Sequence, residues 1–181
     1  MERKHGPWTI KGTAEQYRDE FIAVYADSVI RPDGEPGTYA TVHMKPGVSI
    51  LPVEGDGTIY LTRQFRYAAG GESIEVVSGG VDGEDAAAAA KKELHEELGI
   101  EAAELIALGR MDMDTSIVKS PVSLYLARGL KFTEAEQEST ERIEPFKTTL
   151  EQAVGMVLRS EITHSPSCVL ILKAARYLEG R

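Results

Sequence analysis

The chain has 181 residues, 42% hydrophobic and 27% charged, which suits one domain with a sizeable core, or a domain with a small attachment. Its formal net charge of −9 argues against nucleic acid as a broad, phosphate-neutralising partner, although metal ions and a few local arginines let an acidic protein bind a small polyanion. The single cysteine, Cys168, cannot form an internal disulfide, the N-terminus MERKHGPW lacks an apolar signal core, and no apolar run is long enough for a bilayer; a cytoplasmic protein without membrane contact is expected.

In chain order, Phe21 to Ile30 alternates and reads as a strand, and RPDGEPG after it is dense in turn formers. Tyr39 to Met44 and Val48 to Val53 read as further strands. Glu54-Gly55-Asp56-Gly57 is a tight turn with Thr58 to Phe65 as the returning strand, so an antiparallel meander is expected. Glu104 to Asp112 and Val122 to Ala127 read as two more strands, and the polar run from Lys131 to Arg142 as an exposed loop. Thr149-x-x-Gln152 has the form of a capping box opening a helix to about Arg159, and Ser165-Pro166 reads as an N-cap with proline at the first helical position of a last helix ending near Gly180. Strands first, a helix in the middle and helices at the end describe an α+β domain.

One stretch, EVVSGGVDGEDAAAAAKKELHEELGI from Glu75 to Ile100, carries the chemistry. A glycine-rich loop leads into an alanine-rich helix that Asp85 can cap and Gly99 can end. At about 100° per residue, Glu93, Glu96 and Glu97 fall within an arc of about 100°. Three carboxylates crowded in this way repel one another, and a hard divalent cation such as Mg²⁺ turns that repulsion into binding. Leu94, Leu98 and Ala87 share a flank expected to pack on a sheet, while Ala86, Ala89 and Ala90 are expected beside the carboxylates, leaving room for metal and ligand.

KELHEELGI, preceded by the glycine-rich loop and Glu84, resembles the signature of Nudix hydrolases: Gly, five residues, Glu, seven residues, Arg-Glu-apolar-x-Glu-Glu-x-Gly-apolar. Two positions depart from it. Lys92 stands where the family has arginine, and strict counting puts Ser78 at the first glycine, so Gly79 fills that place only if the loop is one residue shorter. The resemblance runs from about Trp8 to about Leu178 and is closest to the ADP-ribose pyrophosphatase and nucleoside diphosphate-sugar hydrolase branch. It rests there on Trp8, the Arg31-Pro32-Asp33-Gly34 turn, Arg63-Gln64-Phe65-Arg66, Glu75 and the terminal SEITHSPSCVLILKAA.

The resemblance implies a Nudix-type α/β/α sandwich with a mixed, mostly antiparallel sheet over 46–181, preceded by an N-terminal antiparallel strand segment, 1–45, that contributes to a homodimer. It implies Mg²⁺, or Mn²⁺, held by Glu93, Glu96 and Glu97, with Glu84 and Lys92 as structural support. Lysine keeps the charge of the family's arginine but loses the planar two-pronged grip, so a looser site is expected. Glu93 and Glu97 are implied as catalytic groups together with a loop glutamate acting on the attacking water. Glu141 is the first choice, with Glu138 and Glu144 as rivals, and a solvated charge run is the alternative.

Arg66 is implied to grip the diphosphate, with a surface arginine at a strand end as the alternative. Glu75 is implied to face metal or sugar, against an edge-strand salt bridge. Trp8 is implied to stack on the base, against packing in a core or interface, and Gly79 to border the substrate. After Met111 this chain has MDMDTSIVKSPVS where relatives carry Ser-Pro-Gly and a glutamate, which puts Lys119 and Ser120 near the glutamate's place and leaves the far end of the substrate open. The implied reaction is hydrolysis of the phosphoanhydride of a nucleoside diphosphate compound, ADP-ribose giving AMP and ribose 5-phosphate. GDP-mannose or another nucleotide sugar, a dinucleoside polyphosphate, or ligand binding without turnover are the alternatives.

Overall fold

A computed structural model of the chain describes residues 2–83, 85–137 and 142–180. Its elements are β1 (Arg3–His5), β2 (Trp8–Arg18), β3 (Ile22–Ile30), β4 (Pro36–Met44), β5 (Gly47–Pro52), β6 (Thr58–Arg66), β7 (Gly71–Glu75), β8 (Val77–Gly80) and α1 (Ala86–Leu98). They continue with β9 (Ile100–Asp112), β10 (Val118–Lys119), β11 (Pro121–Phe132), β12 (Glu144–Thr149), α2 (Leu150–Leu158) and α3 (Ser165–Glu179). Contacts divide the chain into two units, residues 1–45 with 112–121, and residues 46–111 with 122–181.

The first unit is one sheet in the order β1-β2-β3-β4-β10. β2, β3 and β4 form an antiparallel meander, and the short β10 joins β4 in parallel. The Arg31–Gly34 turn connects β3 to β4, closed by the Gly34 N–H donating to the Arg31 carbonyl. Strand alternation puts Tyr25, Asp27 and Val29 on one face with Tyr39, Thr41 and His43, and this face lines an open cavity of about 870 Å³.

The second unit holds a four-stranded sheet, β8-β5-β11-β9, and a three-stranded sheet, β12-β6-β7. The meander expected to run on through β5 and β6 stops there. β5 pairs in parallel with β11 and antiparallel with β8, and Val53, just beyond it, forms an isolated bridge with Ile59 of β6. The physical reason lies in β5 itself, whose residues from Val48 to Pro52 are all buried. A strand covered on both faces belongs in the middle of a mixed sheet, where pairing with a distant strand completes its burial.

The two faces of β5 divide the core. Leu51 and Val53 join Leu124 and Leu126 of β11 under α2 and α3, through Ala153, Leu170, Ile171 and Ala174. Val48 and Ile50 face the other way, against Ala89, Ala90 and Leu94 of α1. Helices therefore cover both faces of a mixed sheet, giving the α+β class and the α/β/α layering.

The helix ends follow local chemistry. The Asp85 carboxylate accepts the Ala87 N–H at α1, and Thr149 and Gln152 form both bonds of a capping box at α2. At α3 the N-cap is His164 and not Ser165, with no side-chain capping bond, and proline falls inside the first turn. Gly99 ends α1 at φ 61°, and a Cβ there would meet the backbone of residues 133–135. Left-handed backbone and lack of room both demand glycine at that place.

Candidate active site

The end of α1 carries the carboxylates. Leu94 is buried in the core beneath it, and Glu93, Glu96 and Glu97 occupy the same turn and the next. Ala89 and Ala90, expected beside the carboxylates, are instead buried in the core with Leu94, and Ala86 and Leu98 pack on that cluster. The stripe at 86, 90, 94 and 97 follows the helical repeat, and it tilts the alanines toward the sheet.

Glu93 packs on the glycine-rich loop. A Cβ placed on Gly79 of β8 would fall inside the Glu93 carboxyl group, so the carboxyl can occupy this place only because residue 79 has no side chain. Next to it, Ser78 Oγ pairs with Ser49 Oγ at 2.9 Å, turned to the neighbouring strand. Glu97 is 5% exposed, and Glu96 is half-buried with Lys92 Nζ 3.5 Å from its Oε2.

The loop after β11 straps the same end of the helix. Thr133 N–H and Oγ1 both donate to the Gly99 carbonyl, Glu136 N–H to the Glu96 carbonyl, and Gln137 Nε2 to the carbonyls of Glu97 and Ile143. These bonds satisfy carbonyls that a helix C-terminus leaves without partners. Gln137 was not singled out from the sequence; a glutamine in a polar run carries no signal of its target.

Carboxylate oxygen is the donor chemistry that a hard divalent cation takes. Among the described residues, no three His, Cys, Asp or Glu side chains are grouped closely enough to hold a metal ion. Glu84, Glu138 and Glu141 lie outside the described residues, whereas Glu144 opens β12 and is exposed.

Arg66, at the end of β6, is held by Glu75 at the end of β7. Nε donates to Glu75 Oε1 at 3.0 Å and Nη2 to Oε2 at 2.6 Å, and the carboxylate is 2% exposed while the arginine side chain is 41% exposed. His164 Nδ1 lies 3.4 Å from the same Oε2. Burial raises the Glu75 pKa, but the Arg66 hydrogen bond and the His164 charge outweigh it and hold the carboxyl below its usual value. Burial pushes His164 down, against the pull of Glu75 and with the help of Arg66. Sequence reading gave no role to His164, because its partner Glu75 is eighty-nine residues away in the chain and no local spacing marks the pair.

Trp8 begins β2 and meets Tyr39 edge to face, with ring centroids 5.3 Å apart, in the cavity of the first unit. Lys119 also lines that cavity, while Ser120 is buried and donates to the Lys45 carbonyl at 3.4 Å. The Tyr39 hydroxyl donates to the Ser116 carbonyl at 2.6 Å, which ties the 112–121 segment to β4. Among the described residues no helix is long and apolar enough to cross a membrane.

With this geometry in view, the model of the NUDIX domain matches residues 43–166. An ADP-ribose pyrophosphatase of Mycobacterium tuberculosis (strain ATCC 25618 / H37Rv) is 30% identical over 149 residues, 80% of this chain and 72% of the relative. One of Bacillus subtilis (strain 168) is 27% identical over 149 residues, 81% of this chain and 80% of the relative. A methanol dehydrogenase activator of Bacillus methanolicus is 24% identical over 174 residues, covering 94% and 91%. The crystal structure of an ADP compounds hydrolase superposes with a TM-score of 0.84 at 20% identity, covering 98% of this chain and 97% of that one.

Two predictions follow from the contacts above. Gly79→Ala should displace the Glu93 carboxyl and cut hydrolytic activity by about tenfold or more with the circular dichroism spectrum unchanged; activity equal to wild type would contradict the close approach. Because the folded chain resists protonating His164, the unfolded chain takes up that proton first, and stability is lost as pH falls below about 6.5. Between about pH 7.5 and 5.5 the melting temperature of the wild type should therefore drop more steeply than that of His164→Asn; parallel curves would refute this.

Proposed function

The chain belongs to the Nudix hydrolase family, and on that premise we propose that it hydrolyses the phosphoanhydride of ADP-ribose, with Mg²⁺, to AMP and ribose 5-phosphate. The observation that carries this reading is the Glu93 carboxyl seated on Gly79, with Glu96 and Glu97 on the same end of α1. That the two pyrophosphatase relatives act on ADP-ribose supports the choice of substrate.

Glu93, Glu96 and Glu97 are the residues that would hold the ion, Mn²⁺ being an alternative to Mg²⁺. A bound divalent cation supplies positive charge that offsets the negative charge developing on the diphosphate. Glu96 would leave Lys92 to join this set, a small rearrangement because an ion pair four residues apart on a helix is weak. Arg66 directs its exposed guanidinium edge to the diphosphate, and a positioned two-pronged contact is apt for phosphate oxygens. A glutamate of the 138–144 loop, Glu141 by preference, takes the proton of the attacking water. Trp8 offers its ring to the base, with Tyr39 as a second aromatic surface in the same cavity.

The 1–45 segment pairs two copies into a homodimer in the cytoplasm. Tyr17, Phe21 and Met44 are exposed near one end of its sheet, an apolar surface that a second copy would cover. Sedimentation as a monomer at micromolar concentration would remove the dimer.

A second reading takes the chain as a Nudix-fold binding module that regulates another enzyme. Its support is the similarity to the methanol dehydrogenase activator, together with lysine at position 92. One experiment separates the two. Wild type incubated with Mg²⁺ and a panel of ADP-ribose, GDP-mannose and dinucleoside polyphosphates should release nucleoside monophosphate, fastest from ADP-ribose. Glu96→Gln should lose about two orders of magnitude or more, and Trp8→Ala should raise KM. Binding without product from any compound would favour the module, and undiminished product from Glu96→Gln would overturn the metal assignment.

A further inference from the structure

The first turn of α3 carries two polar side chains that the Nudix signature does not account for. Ser167 is fully buried, and its Oγ accepts the backbone N–H of Val76 at 2.9 Å, in the one-residue joint between β7 and β8. His164 Nδ1 stands 2.8 Å from that hydroxyl and 3.4 Å from Glu75 Oε2. The ring nitrogen is thus hydrogen-bonded to the hydroxyl and stands within ion-pair distance of the carboxylate. Contacts therefore run unbroken from the start of α3 through the Glu75 carboxylate to both prongs of Arg66.

The arrangement exceeds what charge balance needs. Arg66 alone neutralises Glu75, and a buried carboxylate paired with a guanidinium has its principal partner. The histidine adds direction: its ring, hydrogen-bonded to Ser167, stands against one oxygen while the Arg66 fork spans both, and this hinders the carboxylate from turning about its terminal bond. Ser167 meanwhile fixes the backbone immediately after Glu75, on the same turn of helix. Arginine otherwise loses rotamer freedom when it grips a ligand, and a guanidinium already oriented by its protein partner has surrendered much of that before substrate arrives.

Resting on the reading of Arg66 as the diphosphate contact, we propose that His164 is a positioning residue for substrate binding, fixing the Glu75 carboxylate so that Arg66 meets the diphosphate in one orientation. Ser167 anchors the strand joint beneath it. The role belongs to binding more than to the chemical step, since the arginine touches substrate before and during reaction alike.

Steady-state kinetics on ADP-ribose with Mg²⁺ tests this through His164→Ala, His164→Asn, His164→Gln, Arg66→Ala and the Arg66→Ala, His164→Ala pair. His164→Ala should raise KM about tenfold, the size of one lost polar contact to a buried charge, with kcat nearly unchanged. His164→Asn can place an amide group where Nδ1 stands and should return KM close to the wild-type value, whereas His164→Gln, whose amide reaches further, should not. The double variant should be no worse than Arg66→Ala alone. Effects of His164→Ala and Arg66→Ala that multiply would overturn the positioning role while leaving the Arg66 contact intact. An unchanged KM in Arg66→Ala would remove the contact and the positioning role together. If His164→Ala fails to fold, equal KM values for the Asn and Gln variants overturn the proposal by themselves.

Discussion

The placement of α1 depends on how closely it can lie on the sheet, and alanine sets that distance. Ala89 and Ala90 are buried with Leu94 against Val48, Ile50 and Val77, and side chains this small let helix and sheet backbones approach. The close approach brings Glu93 onto Gly79, where any Cβ would collide with the carboxyl. Larger residues at 89 or 90 would lift the helix and open that contact, with the cost of overpacking added. At the other end, Gly99 and the loop at 133–137 hold the last turn through its carbonyls. The end of the helix that carries Glu93, Glu96 and Glu97 is thus fixed by packing and by hydrogen bonds to its backbone.

The Arg66–Glu75–His164 group works by another physics. Burying a carboxylate is costly unless it is paired and fully hydrogen-bonded, and such pairs contribute little net stability. Their benefit is geometry. A guanidinium that is 41% exposed yet clamped by a carboxylate 2% exposed is solvent-accessible and directionally fixed, which is what a diphosphate contact requires. The two arrangements meet along the chain in the short run from Glu75 to Gly79, so the β7–β8 joint serves both.

Sequence alone exposed the parts governed by local rules. Asp85 and Gly99 bound α1, Thr149 with Gln152 caps α2, and Glu93, Glu96 and Glu97 lie on one end of the helix, because caps and helical spacing act over a few residues. Pairings between distant segments were hidden. Nothing local says that β5 takes β11 as its parallel neighbour, or that Ser167 reaches Val76 across ninety-one positions. Ala89 and Ala90 were misplaced because a run of five alanines has no hydrophobic contrast to mark its buried face. The salt bridge is one of two readings of Glu75, and its partner Arg66 lies on a different strand, nine positions earlier in the chain.

Whether the carboxylates at the end of α1 bind a divalent cation is tested most sharply by a direct measure of metal. Titration of the protein with Mn²⁺, following the free ion by its paramagnetic resonance signal, should reveal a bound ion in the wild type. Replacing Glu93 and Glu97 together by Gln should abolish that binding while the melting temperature stays within a few degrees. Equal Mn²⁺ binding by the two proteins would contradict the account.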